Sequence, residues 1–132
     1  MRAELIGAYE DATRLDNPAL LPEELRAPDG AYFVGYEASV AVAGGGLRRL
    51  EEGVAEIKRM YVRPEARSRG VAGALLRTLE EAARAMGYSR TRLDTGPKQP
   101  TAERLYRAAG YAEIARYNDN PFACFWGEKQ LA

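Results

Sequence analysis

Histidine is absent from the 132 residues of this chain. That removes imidazole acid–base chemistry, His-based triads and His-built zinc sites. Any proton transfer falls to Glu, Asp, Tyr, Lys, Cys or water. Cysteine is nearly absent too. The single Cys124 rules out an internal disulfide framework and a Cys-rich metal site, so no metal is expected. Alone in an apolar stretch, it reads as a buried hydrophobe. Net charge is also missing, because nineteen basic residues balance nineteen acidic ones. Such a chain lacks the basic excess that bulk nucleic-acid binding draws on. No apolar run approaches the roughly 20 residues that span a bilayer, and no leader-like segment opens the sequence. The expectation is a cytoplasmic protein with neither nucleic acid nor membrane as partner. Repeats and long low-complexity linkers are lacking, and the length suits one domain over 1–132 with a single core.

What is present alternates between two periods. Arg2 to Leu15 carries Leu5, Ile6, Tyr9, Ala12 and Leu15 at helical spacing. Asn17-Pro18 and Leu21-Pro22 break it, and 23–26 reads as a short helix before the turn Pro28-Asp29-Gly30. AYFVGYEA (31–38) and SVAVAGGGLRRL (39–50) read as a hairpin whose link is 37–39. Gly44 to Gly46 mark a bulge, a flexible loop or a close approach by another group. VAEIKRMYV (54–62) is a third strand, with Val54, Glu56, Lys58, Met60 and Val62 on one face by strict alternation. The apolar positions from Val71 to Met86 then follow a 3.6 period that stops at Gly87-Tyr88. TRLDT (91–95) reads as a strand parallel to 54–62 after this helical crossover. A second amphipathic helix over 101–109 stops at Gly110-Tyr111. AEIARY (112–117) and ACFWGEKQL (123–131) close the chain as two strands around the loop 118–121. The sum is a mixed α/β domain: strands first, then β-α-β-α-β-β.

The stretch RSRGVAGALL (67–76) joins a strand to a helix through a basic, glycine-containing turn. A helix N-terminus presents unpaired N–H groups and the positive end of the dipole, which together suit a phosphate. Gly70 and Ala72 allow close approach of the backbone, while Arg67, Ser68 and Arg69 add charge and a hydroxyl. The P-loop pattern is not met, nor is G-x-G-x-x-G. Two readings of this turn compete: a site for a phosphate-bearing ligand, and an ordinary helix start with a solvated basic turn.

Arg67-Ser-Arg-Gly70-Val-Ala72 resembles the Q/R-x-x-G-x-G/A loop of the GCN5-related N-acetyltransferases, the GNAT superfamily. MYVRPEARSRGVAGALL (60–76) is similar to that family's strand–loop–helix unit. QPTAERLYRAAGY (99–111) resembles its second signature through Ala102, Leu105, Tyr106, Gly110 and Tyr111, with Gln99 where Asn is commoner. The resemblance covers 31–131 well and is weak before residue 30, where the family's first strand would be absent or very short. It implies the acyl-CoA N-acyltransferase fold: a central, mostly antiparallel mixed sheet with a V-shaped splay between strands 54–62 and 90–95, flanked by helices. It implies acetyl-CoA as cosubstrate, its pyrophosphate held by Arg67, Ser68, Arg69, Gly70, Val71, Ala72 and Gly73. Met60, Tyr61 and Val62 would lie nearest the thioester, whose carbonyl the Val62 amide would polarise. Gln99 and Ala102 would lie beside the cofactor.

The same resemblance gives Tyr106 the role of general acid, against the alternative of a core tyrosine with a satisfied hydroxyl. Glu56 stands eleven residues before Arg67, where histone-acetylating members carry a glutamate base. A pairing with Lys58, Arg59 or Arg92 is the competing reading of Glu56. Phe122, Phe125 and Trp126 line the acceptor pocket on one reading and form core or a subunit contact on the other, the favoured one. The implied activity is N-acetylation of a primary amine on a small molecule or a protein, by direct attack in a ternary complex. The alternative is a module of the same fold that binds acyl-CoA and transfers nothing. An exposed sheet edge near 123–131 would allow a homodimer.

Overall fold

The computed structural model describes residues 4–6, 23–67, 69–96 and 100–131. In chain order these form β1 (Glu4–Ile6), β2 (Ala31–Glu37), β3 (Val40–Glu51), β4 (Val54–Val62), α1 (Val71–Ala85), β5 (Arg90–Thr95), α2 (Pro100–Ala108), β6 (Ala112–Glu113) and β7 (Phe125–Gln130). Short 3₁₀ turns occupy Glu23–Leu25 and Pro64–Ala66. Among the described residues the strands make one seven-stranded sheet in the order β1-β2-β3-β4-β5-β7-β6. Every neighbouring pair is antiparallel except β4 and β5, which the α1 crossover makes parallel. This is the mixed, mostly antiparallel sheet expected from the sequence. No described helix is long and apolar enough to cross a membrane.

Local chemistry explains most of the joints. Ala38 and Ser39 both take positive φ, 49° and 68°, which gives the two-residue link between β2 and β3 the twist a tight hairpin needs. Each helix closes on a glycine with positive φ, Gly87 for α1 and Gly110 for α2. The Gly87 and Tyr88 amides return to the carbonyls of Arg84 and Ala83, and Gly110 and Tyr111 repeat this on Arg107 and Tyr106. The helices' last carbonyls are thereby satisfied and the chain turns back into the sheet. Leu75, Leu76 and Leu79 of α1 are fully buried against β3 and β4, each contributing about 2 kcal/mol of hydrophobic stabilisation.

Four expectations need correction. Residues 4–6, read as part of a helix, form a strand paired with Val34–Tyr36, so the family's first strand is present and very short; residues 2, 3 and 7–15 of that expected helix lie outside the described residues. Of 112–117 only Ala112–Glu113 is strand, although the Ile114 amide still reaches the Trp126 carbonyl. The segment 123–131 is not a sheet edge, since β7 sits between β5 and β6; the edge argument for a homodimer falls with it.

The fourth correction concerns β4. Its register against β3 slips between Gly44 and Gly46, and Arg59 has φ of +58°. The glycine run is thus a β-bulge site inside a strand, not a loop. The extra residue reverses the alternation. Met60 and Val62 pack into the α1-facing core with Ala55 and Ile57, while Glu56 faces the other way. Two residues, Lys58 and Arg59, stand between the inward Ile57 and the inward Met60, so both turn outward. Close approach is also present: a Cβ on Gly45 would lie 3.0 Å from Met60 Cγ, and one on Gly44 2.6 Å from the Tyr32 hydroxyl.

Candidate active site

β4 and β5 are paired only from Val54↔Arg90 to Glu56↔Arg92. Beyond that point β4 runs on to Val62 and β5 to Thr95, and the two part. A cleft of about 650 Å³ fills the gap, a size suited to a small-molecule site. It passes through the sheet. Met60 and Tyr106 border it from the side of the helices; Lys58, Arg59 and Asp94 border it from the opposite face, where loop residues Asn120 to Cys124 close it.

The parted edge of β4 carries backbone groups. The Arg63 amide donates to Val42 O across the β3 side. Successive amides on a strand point to opposite edges, so the Val62 N–H and C=O face the gap. Arg67 Nε reaches back to that carbonyl at 2.9 Å, and its guanidinium lies 5.8 Å from the centre of the exposed Tyr61 ring.

Just beyond, Gly70 takes φ of +79° as the N-cap of α1. Gly70 has no side chain with which to cap the helix, and no acidic residue stands in its first turn. The N–H groups of Val71, Ala72 and Gly73 are therefore available to an anion. Among the described residues nothing lies within 4 Å of where a Gly70 Cβ would be, so the glycine serves its backbone angle, not a tight packing contact. Arg69 pairs with Glu37 at 3.4 Å and donates to the Glu65 carbonyl. Both arginines thus brace the turn by reaching backward. These residues fit the pyrophosphate of a CoA. Ser68 and Gln99 lie outside the described residues. Ala102 packs on the core.

Tyr106 is only 6% exposed. Its hydroxyl donates to Met60 Sδ at 3.7 Å, a weak acceptor. Burial first, and the Asp94 carboxylate second, push the phenol up to about 12. The group therefore keeps its proton at neutral pH and faces the gap with no strong hydrogen-bond partner among the described residues.

Glu56, 1% exposed, sits on the opposite face. Oε1 accepts from Arg48 Nε at 2.8 Å and lies 3.7 Å from Lys58 Nζ; Oε2 accepts from the Tyr117 hydroxyl at 2.7 Å and from Asn118 Nδ2 at 3.4 Å. Of the pairings weighed for Glu56, Lys58 is observed. Arg92 instead bonds Glu51 and Glu128. Burial and then the hydrogen bond to Glu56 raise the Tyr117 phenol well above its ordinary value.

Sequence reasoning missed the group that ties this region together. Asn118 Nδ2 donates to Asp94 Oδ2 at 2.6 Å, and Asn118 Oδ1 accepts from Trp126 Nε1 at 2.9 Å and the Asn120 amide at 3.2 Å. One amide thereby joins β4, β5, β7 and the 118–124 loop where the strands part. The available signal was Asn118-Asp-Asn-Pro, since Asn side chains commonly bond the backbone two residues on; the Phe122 amide on Asn120 Oδ1 repeats the pattern. Cys124, read as buried, is exposed at the cleft. Its amide bonds Thr95 O ahead of the first β7 residue, which leaves the side chain outside the core. Phe125 is core, Trp126 is half-buried under Arg116, and Phe122 is 79% exposed at the cleft mouth.

The profile described as "Acetyltransferase (GNAT) family" matches residues 2–111. This chain belongs to the GNAT family of acetyltransferases. An IAA acetyltransferase of Azospirillum brasilense is 35% identical over 113 residues, covering 83% of this chain and 73% of that one. A GNAT-family acetyltransferase structure from Staphylococcus aureus superposes with a TM-score of 0.83 at 15% identity, covering 99% of this chain and all of the other. A GNAT structure from Elizabethkingia anophelis with acetyl-CoA bound matches with a TM-score of 0.66 at 17% identity, over 78% of this chain and 77% of that one. At these identities the two structures speak to the fold. The GNAT fold read from residues 31–131 is thus the fold of this protein, with its splay between β4 and β5.

Proposed function

We propose that this GNAT domain transfers the acetyl group of acetyl-CoA to a primary amine by direct attack in a ternary complex. The carrying observation is the parting of β4 and β5, with a proton-bearing phenol at one side of the gap and a helix N-terminus opened by a glycine at its end. The pyrophosphate takes the N–H groups of Val71, Ala72 and Gly73, with Arg69 beside them. The pantetheine arm pairs with the open edge of β4 from Met60 to Val62 as an added strand would, flanked by Tyr61 and Ala102. Arg67 yields the Val62 carbonyl to it.

The chemistry divides among a few groups. An ammonium acceptor first loses one proton, to Glu56 through water or the Tyr117 hydroxyl, and that proton passes to solvent. The amine nitrogen then bonds to the acetyl carbon. The Val62 N–H stabilises the charge that builds on the carbonyl oxygen. The C–S bond breaks, Tyr106 gives its proton to the leaving thiolate, and the second proton of the nitrogen returns to Tyr106. The products are the acetamide, CoA thiol and one proton.

A thermal shift tests the first half. At about 100 times its Kd a ligand adds about 2.7 kcal/mol, which for this size raises Tm by roughly 10 °C. Acetyl-CoA and CoA should give the rise and NAD should not. Thiol release with an amine panel tests the second half. A shift without turnover on any amine would leave a module that binds acyl-CoA and transfers nothing.

A further inference from the structure

The outer half of the cleft holds two opposite charges that pair with no opposite charge among the described residues. Arg59 is exposed at the bulge and has no side-chain partner among the described residues, unlike Lys58 beside it, which pairs with Glu56. Its positive φ belongs to a non-glycine residue, a conformation that costs of order 1 kcal/mol and persists where surroundings over-determine it. The bulge is what turns Arg59 outward at the gap. Asp94 borders the same cleft from β5. Its carboxylate accepts one hydrogen bond, from Asn118 on Oδ2, and pairs with no cation among the described residues, so Oδ1 remains open. Glu56, by contrast, has both oxygens engaged. Asp94 also acts electrostatically on Tyr106, which puts it beside the reacting end of the gap.

On the reading that this cleft acetylates an amine, we infer that the acceptor is a small zwitterion, an amino acid in the broad sense: its ammonium rests on Asp94 and its carboxylate is gripped by Arg59. An ammonium at Asp94 stands next to the thioester end defined by Tyr106. A guanidinium presents a planar fork of donors that matches a carboxylate. Leaving either charge without a counterpart in a cleft partly cleared of water is unfavourable, so an amine lacking the carboxylate binds less well. Phe122 and Pro121 at the mouth offer apolar surface to the rest of such a molecule. Arg59 and Asp94 set specificity in this scheme.

The test compares acceptors that differ only in the carboxylate: phenylalanine with phenethylamine, and β-alanine with ethylamine, at saturating acetyl-CoA, read as thiol release. A charge-assisted hydrogen bond is commonly worth a factor of roughly ten to a hundred, so kcat/KM should favour the amino acid by that much in at least one pair. Arg59→Gln should erase the preference through KM, and Arg59→Lys should restore part of it. Asp94→Asn should raise KM for both members of a pair. The circular dichroism and Tm of each variant establish that it is folded. Equal or better use of the decarboxylated amine overturns the inference, as does an unchanged preference in Arg59→Gln. A marked preference for a peptide amine over both small acceptors overturns it too. In these cases turnover survives and the acetyltransferase reading stands. Absence of turnover on every acceptor, despite a thermal shift with acetyl-CoA, overturns both.

Discussion

Replacing Tyr106 by Phe deletes one oxygen at a place where folding and catalysis ask for different things. The hydroxyl is buried, and its hydrogen bond among the described residues goes to the Met60 thioether at 3.7 Å. A thioether is a weak acceptor, so the folded state loses little when the donor goes. The ring still packs edge-on to Tyr111, with centroids 6.1 Å apart. Stability should therefore stay within about 1 kcal/mol of the parent, a shift in Tm of no more than roughly 4 °C. The acetyl-CoA thermal shift should persist, because the phenol is not part of the α1 N-terminus. Turnover should behave otherwise. A positioned general acid contributes about 10²–10⁴-fold, so kcat at saturating acetyl-CoA and amine should fall at least a hundredfold, or about 2.7 kcal/mol of barrier. Since the phenol is pushed up to about 12, it is protonated throughout the assay range. The ratio of parent to variant should then be flat between roughly pH 6 and 9. Steady-state thiol release across that range measures it. Full turnover by the variant refutes the acid role. A loss of kcat accompanied by a collapsed Tm would show a packing role instead.

Three more outcomes follow from the same geometry. Tyr106, Tyr111 and Tyr117 all have raised pKa values in the fold, burial being the largest cause in each. The folded state holds these protons where the unfolded chain, with its tyrosines near 10, releases them; their contribution is whole below about pH 10 and declines as pH climbs above it. The urea midpoint should drop between pH 9 and 11, and an unchanged midpoint would contradict the burial. A methyl on Gly96 would run into the Phe122 carbonyl; Gly96→Ala should push the 120–124 loop off β5, cost about 1–3 kcal/mol and raise the acceptor KM while sparing the acetyl-CoA shift, as calorimetry and kinetics would register. Glu56→Gln keeps the shape but removes the charge facing Arg48 and Lys58. Its kcat should fall about 10²–10⁴-fold while the acetyl-CoA thermal shift persists, and unchanged turnover would remove Glu56 from the proton path.

The strand and helix periods, the Gly-Tyr stops and the parallel crossover were legible in the sequence because each is a local signal. Gly87-Tyr88 and Gly110-Tyr111 end their helices as read, through left-handed glycines. The bulge was not legible in full. Alternation over 54–62 predicts one face for Glu56, Met60 and Val62, and one inserted residue at Arg59 moves the last two to the other. A bulge depends on the partner strand, here the glycine run of β3, and no window on β4 alone contains it. The place of Tyr106 at the gap was legible because its helix and its spacing from Gly110 travel together in one motif. Asp94 and Asn118 were not, since they meet only when the 118–124 loop folds across strands 24 residues away. Strand β1 was misread because three residues are too few for a period to emerge.

The amide of Asn118 makes part of this protein non-interchangeable. It bonds Asp94, Trp126, the Asn120 backbone and Glu56 at once, so the loop beyond it is not a detachable tip. A loop grafted in from another GNAT would arrive without its moorings unless positions 94, 118 and 126 came as a set. On the proposed reading, changes of acceptor range are accordingly coupled across two strands and the loop between them in space: the loop's sequence can drift at Asp119, Pro121 or Ala123, while the trio that anchors it must change together or stay.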